Sequence, residues 1–296
     1  MKRHMARACG QALITTAFLI SIGGAWIPAY AAGPNGDAFT TDGYAYVLKT
    51  YVDDRGMVNY KGLKADREKL DSYVRAMERL DRAVFERWSK SEQIAFWINA
   101  YNALVLKTII DNYPITPSFF KLAVFPRHSI WHISGVWDDI KHPIMGRPMS
   151  LNAIEHETLR KDFNEPRLHV SIVCAAMSCP PLRDEPFTGK RLEAQLEDQA
   201  RRFVANPQNF QIDRAARRVE LSSIFKWFGE DFVATYGTDE RFNGHRPVVR
   251  AVLSFASRHL GAEDRRYLDT QQYSIHYTDY DWSLNEQRDG LGHETS

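Results

Sequence analysis

The chain has 296 residues, of which 44% are apolar, 25% charged and 12% aromatic, and its formal net charge is +1. This composition is typical of a folded globular protein and excludes the disordered, collagen-like and disulfide-dense classes. Lys and Arg (38) nearly balance Asp and Glu (37), so the charge provides no strong attraction to nucleic acid, and we expect no nucleic-acid partner.

The N-terminal residues 1–31 have the pattern of a secretory signal peptide. Three basic residues (Lys2, Arg3 and Arg7) precede an apolar run over residues 12–28, and residues 29–31 read Ala-Tyr-Ala. The run is shorter than the about 20 apolar residues that a membrane span needs. We therefore expect cleavage after Ala31, no membrane partner after cleavage, and a periplasmic or secreted product.

The rest of the chain predicts one domain, because no repeat, low-complexity tract or linker interrupts residues 40–285. We assign residues 32–44 to a flexible lead-in, residues 45–285 to the domain and residues 286–296 to a polar tail.

Helical periodicity is strongest over residues 92–113, where apolar side chains occupy almost every face. This pattern predicts a buried central helix. Weaker patterns predict further helices at residues 67–77, 81–88, 150–161, 188–205, 223–235 and 246–259. Short apolar segments predict a strand at residues 168–174 and two hairpins, one of residues 135–140 with 144–149 and one of residues 210–212 with 218–221. Many helices with a few local strand pairs indicate an α+β fold, a single mainly helical domain.

Two asparagines, Asn99 and Asn102, lie three residues apart and therefore share one face of the predicted central helix. A buried amide needs hydrogen-bond partners. Either the pair ties neighbouring loops to the helix, or it forms a polar, substrate-binding wall of a cleft.

The helix predicted at residues 150–161 carries Glu155 within its inward-facing apolar stripe and His156 at the margin of that stripe. An inward carboxylate needs a cation, several donors or a metal. The alternatives are a buried ion pair with Arg167 or Arg183, and a functional acid at the edge of a cleft.

Cys174 is the last residue of the strand predicted at residues 168–174, and Cys179 follows that strand. Strand alternation places His169 on the face opposite Cys174, while Cys179 lies beyond a turn and escapes this restriction. In an oxidising compartment the pair could form a disulfide. Alternatively, Cys179 is a catalytic thiolate. Metal binding is a third alternative, but the spacing matches no metal-site template, and no nucleotide-binding pattern is present. We therefore expect no metal and no cofactor.

Five segments together resemble the DUF547 family, an uncharacterised domain of bacterial and plant proteins. They are residues 96–104, 151–156, 169–182, 221–228 and 280–285, and the segment from His169 to Leu182 is the most specific. This chain has Ala175 where Gly is common in the family. The resemblance implies the family's fold over residues 45–285 and assigns no catalytic residue.

The residues support two functional hypotheses. In the first, the protein is a thiol-dependent hydrolase or acyltransferase in which Cys179 is the nucleophile, His169 or His156 the base, and Glu155 the orienting carboxylate. In the second, it is a non-catalytic periplasmic domain, stapled by a Cys174–Cys179 disulfide, that binds a small molecule or peptide in an aromatic-lined cleft.

Overall fold

A computed structural model describes residues 39–287 of the chain. Its α-helices are α1 Asp42–Tyr51, α2 Tyr60–Ala65, α3 Glu68–Arg79, α4 Arg82–Glu86, α5 Lys90–Asp111, α6 Arg160–Asp162, α7 Leu192–Ala205, α8 Ser223–Phe228, α9 Val233–Tyr236, α10 Pro247–Ser257 and α11 Ala262–Asp269. A π-helix, Ala153–Leu159, runs directly into α6. Short 3₁₀-helices are Phe119–Lys121, Ile130–His132, Pro166–Val170, Gly189–Arg191 and Gly229–Phe232.

Two small sheets complete the fold. One is the antiparallel pair β1 His142–Ile144 and β2 Arg147–Met149. The other has the order β3-β4-β5 and contains β3 Phe210–Asp213, β4 Arg218–Leu221 and β5 Ser274–Tyr277. β3 and β4 form the predicted antiparallel hairpin. β5 pairs in parallel with β4, and the sequence predicts no strand in the segment that forms β5. The mainly helical α+β fold is confirmed.

The central helix α5 is buried on nearly every side, as predicted. A capping box fixes its start: the Ser89 hydroxyl accepts from the Glu92 backbone N–H, and the Glu92 carboxylate accepts from the Ser89 N–H. Sixteen of its 22 residues are buried. Since the helix is apolar all round, the surrounding elements must cover it, and α2, α3 and the π-helix pack against it.

Two clusters of buried apolar side chains form the core. The first surrounds α5 and includes residues of α1, α3 and the loop that carries Cys179. The second lies among α7, α8, α10 and the three-stranded sheet. Tyr280 packs against both clusters, so the C-terminal segment joins them.

The first predicted hairpin is shifted along the sequence. Residues 135–140 form a turn instead of a strand, because Asp139 and Ile140 both donate their backbone N–H to the Gly135 carbonyl. Gly135 has a φ of +64°, a conformation that favours glycine. The hairpin itself spans His142 to Met149.

The strand predicted at residues 168–174 is wrong. The 3₁₀-helix Pro166–Val170 occupies its first half. Its second half is irregular, because Asn102 bonds the backbone of Ser171 and Val173 where a neighbouring strand would otherwise pair. Side chains in this segment therefore do not alternate between two faces.

Both predicted domain boundaries need correction. Phe39 and Tyr44, which we assigned to a flexible lead-in, are buried, and Tyr44 stacks on Tyr73 with ring centroids 4.9 Å apart. At the other end, Gln287 donates its backbone N–H to the Val58 carbonyl. The predicted signal peptide, residues 1–31, lies outside the described residues. Within residues 39–287, no helix is long and apolar enough to cross a membrane.

Candidate functional site

A cavity of about 320 Å³ lies where the two core clusters meet. Its lining is rich in aromatic side chains: Trp131, Trp137, Trp227, Phe228, Tyr280 and Trp282. These rings support one another. For example, the ring centroids of Tyr280 and Trp282 are 4.5 Å apart, and those of Trp227 and Tyr280 are 4.9 Å apart. The cavity therefore suits a ligand with an apolar or aromatic portion.

Both cysteines line this cavity and form a disulfide with a Cα–Cα distance of 6.3 Å. Two donors converge on the Cys179 Sγ: the backbone N–H of Cys174 at 3.0 Å and the Tyr280 hydroxyl at 3.1 Å, a hydroxyl that also lies 3.3 Å from the Cys174 Sγ. Burial raises the pKa of Tyr280, and the nearby Glu155 adds to this, so the phenol stays protonated and can donate. Donors aimed at a sulfur would favour its anionic form after reduction.

The loop that carries the cysteines has a left-handed residue, Ala175, with a φ of +61°. Glycine adopts this conformation at no steric cost, whereas the Cβ of Ala175 makes it unfavourable. The C-terminal segment holds the same loop, because Met177 and Ser178 donate their backbone N–H groups to the carbonyls of Ser283 and Asp281.

A second polar group of the cavity is His169, whose side chain is almost fully buried. Its Nε2 lies 2.7 Å from the Asp231 Oδ2, and its ring stacks on Phe228 with centroids 4.3 Å apart. Arg160 donates two further hydrogen bonds to the same carboxylate, at 2.7 and 2.9 Å. Asp231 is therefore the partner that orients His169.

The charges around His169 determine which of its ring nitrogens carries the proton. The hydrogen bond from His169, together with those from Arg160, lowers the pKa of Asp231 far below its usual value. Burial lowers the pKa of His169, although Asp231 opposes that effect. A neutral imidazole beside an ionised carboxylate carries its proton on Nε2. The Nδ1 is then a free base, and it has no hydrogen-bond partner within the described part of the chain.

The carboxyl group of Glu155 also faces the cavity, where it accepts a hydrogen bond from the Tyr101 hydroxyl at 3.1 Å. Burial raises the pKa of Glu155, while His156, Tyr101 and Arg160 oppose this shift. Glu155 does not orient either histidine. The exposed His156 lies at the cavity rim, with its Nδ1 3.1 Å from Arg160.

The predicted ion pair of Glu155 with Arg167 or Arg183 is wrong. Arg167 pairs with Glu165 and Glu193, both at 2.7 Å. Arg183 pairs with Glu185 and Asp198 at 2.7 and 2.6 Å. Each arginine is therefore already neutralised by carboxylates elsewhere.

Neither Asn99 nor Asn102 belongs to the lining of this cavity. The Asn99 amide exchanges two hydrogen bonds with the Phe187 backbone, at 2.8 and 2.9 Å. The Asn102 amide donates to the Ser171 carbonyl at 3.1 Å and accepts from the Val173 N–H at 2.8 Å. Each amide donates one hydrogen bond to a backbone group and accepts one from a backbone group, so both tie α5 to neighbouring loops.

Sequence reasoning missed Asp231, although it follows closely on residues 221–228, one of the segments that resemble the family. Tyr280 and Trp227 lie inside such segments but were assigned no role. No local spacing signals any of the three, because each reaches the site from a distant part of the chain. Within the described residues, no cluster of three or more His, Cys, Asp or Glu side chains could hold a metal ion.

Comparison with known proteins identifies the central part of the chain. Residues 85–204 match the family described as Protein of unknown function, DUF547. Searches among curated proteins and among solved structures gave no match. The matched range contains both cysteines, Glu155 and His169, whereas Asp231 and Tyr280 come from residues that follow it. Over residues 85–204, the match confirms the DUF547 resemblance that the motifs at residues 96–104, 151–156 and 169–182 predicted.

Proposed function

We propose that this protein is a thiol-dependent hydrolase or acyltransferase whose nucleophile is Cys179 in the reduced state. The observation that carries the proposal is the pair of donors, Cys174 N–H and Tyr280 hydroxyl, that converge on the Cys179 Sγ in a cavity also lined by His169. Such donors stabilise a thiolate, and an oriented imidazole in the same wall supplies a base.

Activation begins with reduction of the disulfide. An external dithiol is oxidised to its own disulfide, and its two electrons and two protons convert Cys174 and Cys179 into thiols. The Cys179 thiol then gives its proton to His169 through one bridging water, because the two side chains form no direct hydrogen bond within the described residues. Asp231, held by Arg160, keeps the imidazole in the tautomer whose Nδ1 accepts that proton and stabilises the resulting cation.

Acyl transfer follows in two steps. The thiolate attacks the carbonyl carbon of an ester or thioester, a sulfur–carbon bond forms, and the alcohol or thiol leaves with the proton from His169. Water or a second nucleophile then gives its proton to His169 and attacks the acyl-enzyme. The sulfur–carbon bond breaks, the acyl product leaves, and Cys179 recovers its proton.

The cavity lining indicates the kind of substrate. Seven of its 17 lining residues are Phe, Tyr or Trp, which fits an acyl or leaving group with an apolar or aromatic body. Glu155 and His156 provide polar contacts at one side. Substrates of this kind include small molecules and short peptides, and we propose that they are encountered in the periplasm or outside the cell, as the N-terminal pattern suggests.

A second function, a non-catalytic binding domain, is favoured by a different observation. With the Cys174–Cys179 disulfide formed, neither sulfur is a free nucleophile, and the bond closes the turn beside the aromatic cavity. In that state the cavity can bind a ligand without transforming it.

An acylation experiment separates the two functions. The full chain, with and without prior reduction, is incubated with p-nitrophenyl acetate, and acetylated cysteine is located by mass spectrometry of peptides. We expect acetyl on Cys179 of the reduced protein alone. Cys174→Ser serves as the matched control and should retain acetylation, whereas Cys179→Ser should lose it. His169→Gln should slow it by roughly a hundredfold or more.

Two results would contradict the catalytic function. One is acetylation at Cys174 and Cys179 with equal rates, and the other is a rate that His169→Gln leaves unchanged. Retained ligand binding by the oxidised protein together with either result would support the binding domain instead.

A further inference from the structure

Large apolar side chains are concentrated at one exposed loop. Within the described residues, six large hydrophobic side chains are exposed, and four of them lie between residues 119 and 124. Phe119 is 82% exposed, Phe120 88% and Val124 73%, and Leu122 is exposed to a smaller degree. Such a patch marks an interaction surface, because isolated exposed hydrophobic residues are ordinary but clusters are not. We call residues 118–127 the apolar loop.

The protein holds this loop in place. Its tip is the 3₁₀-helix Phe119–Lys121, in which the rings of Phe119 and Phe120 contact each other edge to face at 5.8 Å. The Ser118 N–H donates to the His132 Nδ1 at 3.1 Å, and the Lys121 ammonium group donates to the Trp131 carbonyl at 2.6 Å. The two phenylalanines are therefore presented to solvent by a bonded scaffold.

The charged side chains of the segment that contains the loop are basic, although Glu286, from the C-terminal segment, lines a pocket together with Arg127. No Asp or Glu occurs between Asp111 and Asp138, whereas Lys121 and Arg127 both lie in the apolar loop. Arg127 and the neighbouring His128 are exposed. Projecting apolar side chains flanked by cations match an anionic lipid surface, which accepts the rings at the headgroup boundary and attracts the cations.

We propose that the apolar loop inserts Phe119 and Phe120 into the surface of an anionic lipid membrane. A lipid surface fits better than a protein groove, because the two rings project from the fold and both charged residues of the apolar loop, Lys121 and Arg127, are basic. This contact is peripheral and needs no spanning helix. It revises our expectation that the protein has no membrane partner, and it does not depend on the proposed thiol chemistry.

The loop also borders the cavity. Phe125 stacks on Trp131 with ring centroids 4.8 Å apart and planes 9° apart, and Trp131 lines the cavity. Adsorption through the loop would place the aromatic side of the cavity next to the lipid surface.

A vesicle-binding experiment with the full chain tests the proposal. Phe119→Ser/Phe120→Ser is compared with wild type on vesicles of phosphatidylglycerol and phosphatidylcholine, and on phosphatidylcholine alone. Tyr46→Ser, which removes an exposed aromatic ring outside the apolar loop, is the matched control. We expect the double variant to partition roughly tenfold or more weakly to the anionic vesicles, and Tyr46→Ser to match wild type.

Hydrogen exchange supplies a local readout that is insensitive to binding by other segments. In wild type, anionic vesicles should slow amide exchange of the peptide covering residues 118–127, and added salt should reverse much of this protection. Equal partitioning of wild type and the double variant, or unchanged exchange in this peptide, would overturn the proposal. So would loop-dependent dimerisation in solution without vesicle binding, since the occupant would then be a second copy of the chain.

Discussion

The Asp231 carboxylate holds two side chains of the site, those of Arg160 and His169, which come from different elements. It accepts from Arg160, which follows the π-helix, and from His169 in the 3₁₀-helix Pro166–Val170. Its own position is in the 3₁₀-helix Gly229–Phe232. A single carboxylate therefore fixes the ring of the candidate base and neutralises a nearby guanidinium group.

Replacing Asp231 with Asn should reduce the free energy of unfolding by about 1–3 kcal/mol at pH 7, because two buried or half-buried donors lose a charged acceptor. The folded-state pKa of Asp231 is depressed, so its contribution is present above its unfolded pKa of about 4 and is lost as pH falls further. Urea unfolding measured from pH 7 to pH 3 should therefore show that the difference in free energy of unfolding between wild type and variant becomes smaller below about pH 4.

Asp239→Asn is the control for this series. Asp239 also pairs with an arginine, Arg250, at 2.9 Å, but its side chain is 93% exposed. An exposed ion pair contributes little to stability, so wild type and Asp239→Asn should have similar free energies of unfolding at every pH. If the free energies of unfolding of wild type and Asp231→Asn differ by the same amount at every pH, the assignment of Asp231 as an ionised partner is contradicted.

At the scale of elements, the central helix positions the cysteine loop through amide groups. Asn102 satisfies the backbone of Ser171 and Val173, immediately before Cys174, and Asn99 does the same for Phe187. Because the helix is buried, these hydrogen bonds are shielded from water and define where the loop lies.

The variant Asn102→Ala should therefore destabilise the protein by about 2–4 kcal/mol, because a buried N–H and a buried C=O lose their partner. Urea unfolding monitored by circular dichroism measures the effect. Asn112→Ala is the matched control, since Asn112 donates to the Thr108 carbonyl from an exposed position at the end of the same helix. We expect a change of less than about 1 kcal/mol for the control. Equal effects of the two substitutions would show that the loop does not depend on Asn102.

At the scale of the whole molecule, the cavity lies at the meeting of two core clusters that the disulfide does not hold together. The cysteines are only five residues apart in sequence. Tyr280 contacts both clusters, and the C-terminal segment reaches back to residues near the N-terminus: Tyr60 donates from its hydroxyl to the Asn285 side chain at 2.7 Å. Apolar burial and these long-range bonds therefore maintain the overall fold.

Reduction of the disulfide should accordingly lower the free energy of unfolding by no more than about 2 kcal/mol, the chain-entropy value for so short a loop. Thermal unfolding with and without a dithiol measures this, and Cys174→Ser/Cys179→Ser should behave like the reduced protein. Loss of cooperative unfolding on reduction would mean that the disulfide supports the fold as a whole, against this expectation.

The sequence by itself determined the features that depend on neighbouring residues. Helical periodicity identified α5 and its burial, because an apolar surface on every face must be covered. The hairpin of β3 and β4 was predictable because its strands are separated by a short turn. The cysteines, His169 and Glu155 were recognised by residue type and by their motifs, and all of them line the cavity.

Only the tertiary structure decided how those residues are used. The strand predicted at residues 168–174 failed because Asn102, about 70 residues earlier in the chain, bonds its backbone. Asp231 reaches His169 across 62 residues, and Tyr280 reaches Cys179 across 101. Local patterns report which faces of an element are apolar, but they do not report which distant donor or acceptor a polar group meets. That choice is made when the two core clusters pack together.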